Sequence, residues 1–127
     1  MRLKHPRVRN KKYLELMGQM PSIISGKRPV HVAHIRYGEP ARGKPPTGMA
    51  EKPDDMWTLP LTPEEHQFGV DAQHKAGERD WWKRQGIDPI TTCKALYAAY
   101  EAARGPKEAA ENMESIILQT RIFRKPG

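Results

Sequence analysis

Between Arg36 and Asp55 the chain reads RYGEPARGKPPTGMAEKPDD, a stretch carrying Pro40, Pro45, Pro46 and Pro53 among Gly38, Gly43 and Gly48. Proline fixes φ and removes a backbone donor, so neither a helix nor an inner strand can run through such a segment. The regular structure must therefore lie on either side of it. Before it stands PVHVAHIRYG, whose Val30, Val32 and Ile35 favour a strand over about Pro29 to His34. After it stands MWTLPL, a second short apolar strand over residues 56 to 61. Long loops in compact domains are usually functional or disordered.

The remaining elements are helical. KKYLELMGQM places Tyr13, Leu14, Leu16, Met17 and Met20 at helical spacing and ends before Pro21. Thr62, Pro63, Glu64 and Glu65 supply an N-cap, a first-turn proline and first-turn acids. Gly69 interrupts that helix, and Asp71 caps a further run through His74 into ERDWWKRQ, which Gly86 ends. The Trp81–Trp82 pair reads as core, although adjacent helical positions do not share a face, which leaves one of the two room to be exposed. Asp88-Pro89 opens a helix with Ile90, Cys93, Leu96, Tyr97 and Tyr100 on one face, stopped at Gly105-Pro106. KEAAENMESIILQTRIF then turns Ala109, Met113, Ile116, Ile117 and Thr120 inward. The expected class is α+β: a basic arm at 1–12, a core at 13–88 and a helical hairpin at 89–127 packed on that core within one domain.

At 127 residues with 37% hydrophobic content, the chain supports one modest core. Twenty-two Lys and Arg against fifteen Asp and Glu leave a net charge of +7, a field that attracts polyanions, nucleic acid first among them. Arg2, Lys4, Arg7, Arg9, Lys11 and Lys12 make residues 1–12 a mobile basic arm, with no acid to offset them. In the long loop Arg36, Arg42, Lys44 and Lys52 outweigh Glu39 and Glu51, which suits a phosphate backbone. Cys93 is the single cysteine, so no intrachain disulfide and no four-cysteine zinc site can form, and a buried hydrophobe is its expected role. No run of eighteen apolar residues occurs, and the expectation is a soluble, cytoplasmic protein with no membrane partner.

Four of the five histidines, His31, His34, His66 and His74, fall within 44 residues. Imidazole is the ligand that first-row divalent metals favour and the side chain best matched to proton transfer near neutrality. The order strand, loop, strand, helix would bring the end of the first strand against the start of the helix.

HVAHIR, KPDDMWTLPL, EEH, DAQH and GERDWWKRQGIDP, in that order, resemble the phage and prophage branch of the HNH nucleases, related to the phage recombination-enhancement nucleases. The resemblance covers about Pro21 to Pro89. It implies a small ββα-metal core, in which two strands and a helix hold one divalent ion, Mg²⁺, Mn²⁺ or Zn²⁺. His34 matches the family's general base, His66 and His74 its helix-side ligands, and Asp55 the position that ligates metal or braces the base. His31 is the candidate for the remaining ligand, and Arg36, directly after the base, the candidate for holding phosphate. The implied activity is hydrolysis of DNA phosphodiester bonds. Two other readings fit the same residues: a non-catalytic basic nucleic-acid-binding module with a structural metal, and a recombination or packaging accessory acting with a phage or host partner.

The chain departs from that family in three places. Ala33 stands where many relatives carry a ligand, and strict strand alternation turns His31 and His34 to opposite faces, so His31 substitutes only through a bulge. Ser22 and Ser25, with Thr62 and Glu65, stand where many relatives carry the two cysteine pairs of a zinc knuckle, so packing is expected to replace that zinc. His66 and His74 are eight apart, so QFGVDAQ must bend to bring them together.

Overall fold

Two four-residue strands, β1 (His31–His34) and β2 (Thr58–Leu61), form an antiparallel hairpin closed by the proline-rich loop. In this computed structural model, which describes residues 7–46, 53–68 and 77–126, the hairpin is surrounded by helices α1 (Lys11–Met17), α2 (Glu78–Gln85), α3 (Pro89–Ala102) and α4 (Pro106–Phe123). A 3-10 turn at Pro40–Arg42 and a π-helical turn at Glu64–Phe68 complete the order. The architecture is α+β. The expected break at Gly69, the Asp71 cap, His74, Arg2, Lys4, Glu51 and Lys52 lie outside the described residues.

The strands are shorter than their apolar runs. His31 pairs with Leu61, Val32 with Pro60, Ala33 with Leu59 and His34 with Thr58, one to one and without a bulge. Ladder pairing extends one step further, where the Ile35 N–H donates to the Trp57 carbonyl at 2.8 Å. Beyond it the chain turns, because the Trp57 N–H goes back to the Asp54 carbonyl at 3.0 Å. All four β2 residues are buried, since the sheet is covered on both sides. That is why TLPL shows no polar alternation.

Asn10 caps α1, its side-chain oxygen accepting from the Tyr13 N–H at 3.0 Å. The helix ends at Met17, and residues 18 to 20 tighten so that Gln19 and Met20 donate three residues back. Asp88 caps α3 by accepting from the Ile90 and Thr91 amides at 3.1 and 3.3 Å. Ile90, Cys93 and Leu96 on α3, with Ala109, Met113 and Ile117 on α4, are buried as the hairpin seam. Tyr97 and Tyr100 are half-buried and stand edge-on to Tyr13, with ring centroids 4.9 and 5.0 Å away.

Trp81 and Trp82 are both 1% exposed, so neither keeps the free face that helical geometry allowed. The chain end docks at the C-terminus of the same helix. Arg124 donates from Nη1 to the carbonyl and side-chain oxygens of Gln85 at 3.1 and 3.2 Å, laying residues 124–126 across the end of α2. Gly86 sits at φ 72°, in the left-handed region, and a Cβ there would collide with the Lys125 backbone.

The first part of the long loop is tied down, and of the cations expected to suit a phosphate backbone it buries Lys44. Glu39 and Lys44 pair across it. Arg42 is committed to Asp88 at 2.6 Å and also reaches the Thr91 hydroxyl. Lys44 is fully buried, its ammonium 5.7 Å from the Trp57 ring centroid. Burial lowers its pKa, against the pull of Glu78, Cys93 and Asp54. A cation spent inside the fold cannot also neutralise a phosphate. Among the described residues no helix is long and apolar enough to cross a membrane.

Candidate functional site

His34 is the last residue of β1, and three anchors fix where it points. The ladder sets its register against Thr58, the Ile35 amide is held by Trp57, and the next two amides, Arg36 and Tyr37, donate to Glu78 of α2 at 2.8 and 3.1 Å. From this position the His34 Nε2 lies 3.2 Å from Oδ1 of Asp55. A carboxylate can only accept, so this contact is a hydrogen bond when Nε2 carries the proton, and Nδ1 is then the basic nitrogen of the ring.

Asp55 is 2% exposed, and its oxygens are shared among three donors. Oδ1 takes His34 and also the Arg7 Nη2 at 2.6 Å, while Oδ2 takes the Asn10 backbone N–H at 2.8 Å. Burial pushes the Asp55 carboxyl upward, but the bonds from Asn10, His34 and Arg7 together outweigh it and hold the pKa below the usual aspartate range. The arrangement braces an imidazole more readily than it offers a free oxygen to an ion.

Residues 7–10 are the part of the site that the sequence did not reveal. They were expected in a mobile arm, and instead they bind along residues 53–55. Arg7 Nε donates to the Pro53 carbonyl at 3.1 Å, the Val8 N–H to Asp54 Oδ1 at 2.8 Å, and the Asp55 N–H to the Val8 carbonyl at 3.0 Å. Two acids in PDD attract the segment, and Asn10 both caps α1 and holds Asp55. Its fit as an N-cap before KKYLELM was the one local signal. Arg9, Lys11 and Lys12, next to Asn10 in the sequence, are exposed. The guanidinium within 3.5 Å of His34 is that of Arg7. Arg36, the residue expected to hold phosphate, has an exposed side chain.

The histidine cluster divides along the strand. His31 meets His66, their Nδ1 atoms 3.1 Å apart and their rings nearly perpendicular. His34 lies three residues away, about 10 Å of strand. Without a bulge, alternation keeps the two histidines on opposite faces. Two nitrogens about 2.0–2.1 Å from one tetrahedral ion stand roughly 3.3 Å apart, so His31 and His66 fit two ligand positions of such a centre. Equally, one neutral ring can donate to the other. His74 lies outside the described residues, and among those described no group of three His, Cys, Asp or Glu is arranged to hold a metal.

The four knuckle positions come together through hydrogen bonds. The Ser22 hydroxyl donates to Glu65 Oε1 at 2.6 Å and accepts from the Ile24 and Ser25 amides at 3.0 and 3.1 Å. Thr62 and Glu65 form a reciprocal cap: the Thr62 N–H donates to Glu65 Oε1 at 2.8 Å, and the Glu65 N–H to Thr62 Oγ1 at 3.2 Å. Cys93 is fully buried with its thiol 3.5 Å from the Thr58 carbonyl, and burial pushes its pKa up, so it serves as packing. Comparison of the chain with protein-family models, curated proteins and solved structures gives no significant match.

Proposed function

We propose that this protein is a metal-dependent, HNH-like endonuclease that hydrolyses phosphodiester bonds of nucleic acid, DNA in the first instance. The observation that carries the reading is the braced His34. An imidazole at a strand end, with one nitrogen committed to a buried carboxylate and cationic residues beside it, is built to take a proton from water next to a phosphate. In the proposed reaction His34 Nδ1 removes the proton as that water attacks phosphorus, the P–O bond to the 3′-oxygen breaks and that oxygen leaves to take a proton from solvent, and Asp55 stabilises the imidazolium that results. A divalent ion, with His31, His66 and His74 as its proposed ligands, supplies positive charge for phosphate oxygens. The meeting of Ser22 with Thr62 and Glu65 supports the resemblance independently, because those positions converge in the family around zinc.

The separation of His31 and His66 from His34 favours a second reading, a basic nucleic-acid-binding module whose metal is structural. Plasmid relaxation in Mg²⁺, Mn²⁺ or Zn²⁺ decides between them. The nuclease nicks supercoiled DNA, and His34→Ala lowers the rate by roughly 10²–10⁴-fold while DNA affinity stays near that of the wild type. Absence of nicking by the wild type in all three metals rejects the nuclease and leaves the module.

A further inference from the structure

We infer that Arg7 is the residue that grips the phosphodiester at this site, a role that rests on the nucleic-acid reading above. Its guanidinium is already fixed in place: Nε is bonded to the Pro53 carbonyl at 3.1 Å and one Nη2 hydrogen to Asp55 Oδ1 at 2.6 Å. The Arg7 and His34 contacts converge on one Asp55 oxygen, so when Nε2 carries the proton Arg7 Nη2 and His34 Nε2, 3.5 Å apart, are two donors sharing an acceptor. A guanidinium has five N–H groups. With the proton on His34 Nε2, the two on Nη1 and the second on Nη2 meet no acceptor among the described residues, and the side chain is 25% exposed. What remains is the outer edge of a planar fork whose orientation is set in advance, beside the candidate base.

Two parallel N–H groups on such an edge match two non-bridging oxygens of one phosphate. A lysine here would keep the charge and lose that geometry. Asp55 offsets part of the Arg7 charge, but its own oxygens are shared with Asn10 and His34, and the same chain segment carries exposed Arg9, Lys11 and Lys12. An anion drawn toward these cations therefore meets the Arg7 fork next to His34. Phosphate recognition thus draws on the segment before α1.

The test reads binding without hydrolysis. Wild type, Arg7→Ala and Arg7→Lys are titrated, with divalent ions chelated, with a short oligothymidylate and with its uncharged methylphosphonate analogue. Arg7→Ala should weaken the oligothymidylate complex roughly 10- to 100-fold, the range for a lost hydrogen bond to a charged group, and should leave the analogue's affinity nearly unchanged. Arg7→Lys should recover only part of the loss, and free guanidinium should restore binding to the alanine variant. Should the alanine variant fail to fold, the lysine variant carries the decision, and wild-type affinity in it overturns the inference. Equal loss for both oligonucleotides overturns it too, since that marks a structural role. Nuclease activity is not needed for any of these outcomes. A wild type that binds through Arg7 but never nicks plasmid rejects the nuclease and leaves this assignment standing.

Discussion

Asp55 shows how a single carboxylate can organise a site. Its native pKa lies below the ordinary aspartate value, so protons bind the unfolded chain first as the medium is acidified. The stabilisation is complete above the unfolded value of about 3.9 and disappears as pH falls through the depressed native one. Replacing it by Asn leaves the Arg7 guanidinium facing an uncharged amide. Asp55→Asn should therefore lower stability by about 3 kcal/mol at neutral pH, as for breaking a buried ion pair, measured by urea unfolding. The gap should close as pH falls below 4, and a gap that stays constant with pH would show that the native carboxyl is not ionised. His34 and Asp55 were singled out through the family resemblance, and the fold brings their side chains within 3.2 Å. Arg7 and the Asn10 amide were not legible in the sequence, since one reads as ordinary surface charge and the other is a backbone group whose partner lies 45 residues away.

At the scale of elements, legibility followed local chemistry. Asp88 before Pro89 and Gly105 before Pro106 bound α3 and α4 closely, because caps and proline act within a few residues. The strands came out shorter than PVHVAHI and MWTLPL, because their ends are set by the Asp54 turn and by pairing, neither of which a run of apolar residues reports. The tryptophan pair was legible as core, but the crossing of the chain end over the C-terminus of α2, at Gln85 and Gly86, was not. That crossing rests on Gly86. Gly86→Ala introduces a Cβ at positive φ and against the Lys125 backbone, so it should either unfold the tail from α2 or cost more than the ~1 kcal/mol of an ordinary left-handed substitution. Tryptophan fluorescence and melting temperature, compared with Gly105→Ala where nothing stands within 4 Å, separate these effects from propensity alone.

For the whole molecule, the α+β class and the C-terminal hairpin could be read from patterning, while the distribution of charge could not. Lys44 and Arg42 count toward the +7 as fully as Arg9 or Lys11, yet the fold buries one and pairs the other. The docking of residues 7–10 on residues 53–55 has a consequence in time as well as in space. The α3–α4 hairpin closes across a few residues, whereas the Arg7, Val8 and Asn10 contacts close a loop of more than forty, and entropy delays such contacts until the rest of the chain is compact. The His34 pocket should accordingly assemble late in folding and open before global unfolding. Native-state hydrogen exchange should show the Asn10 and Asp55 amides released by a smaller opening than the Met113 and Ile117 amides of α4. Equal protection at all four would mean that the chain closes its site and its core in one step. With the smaller opening, the poised histidine belongs to the least durable layer of the protein.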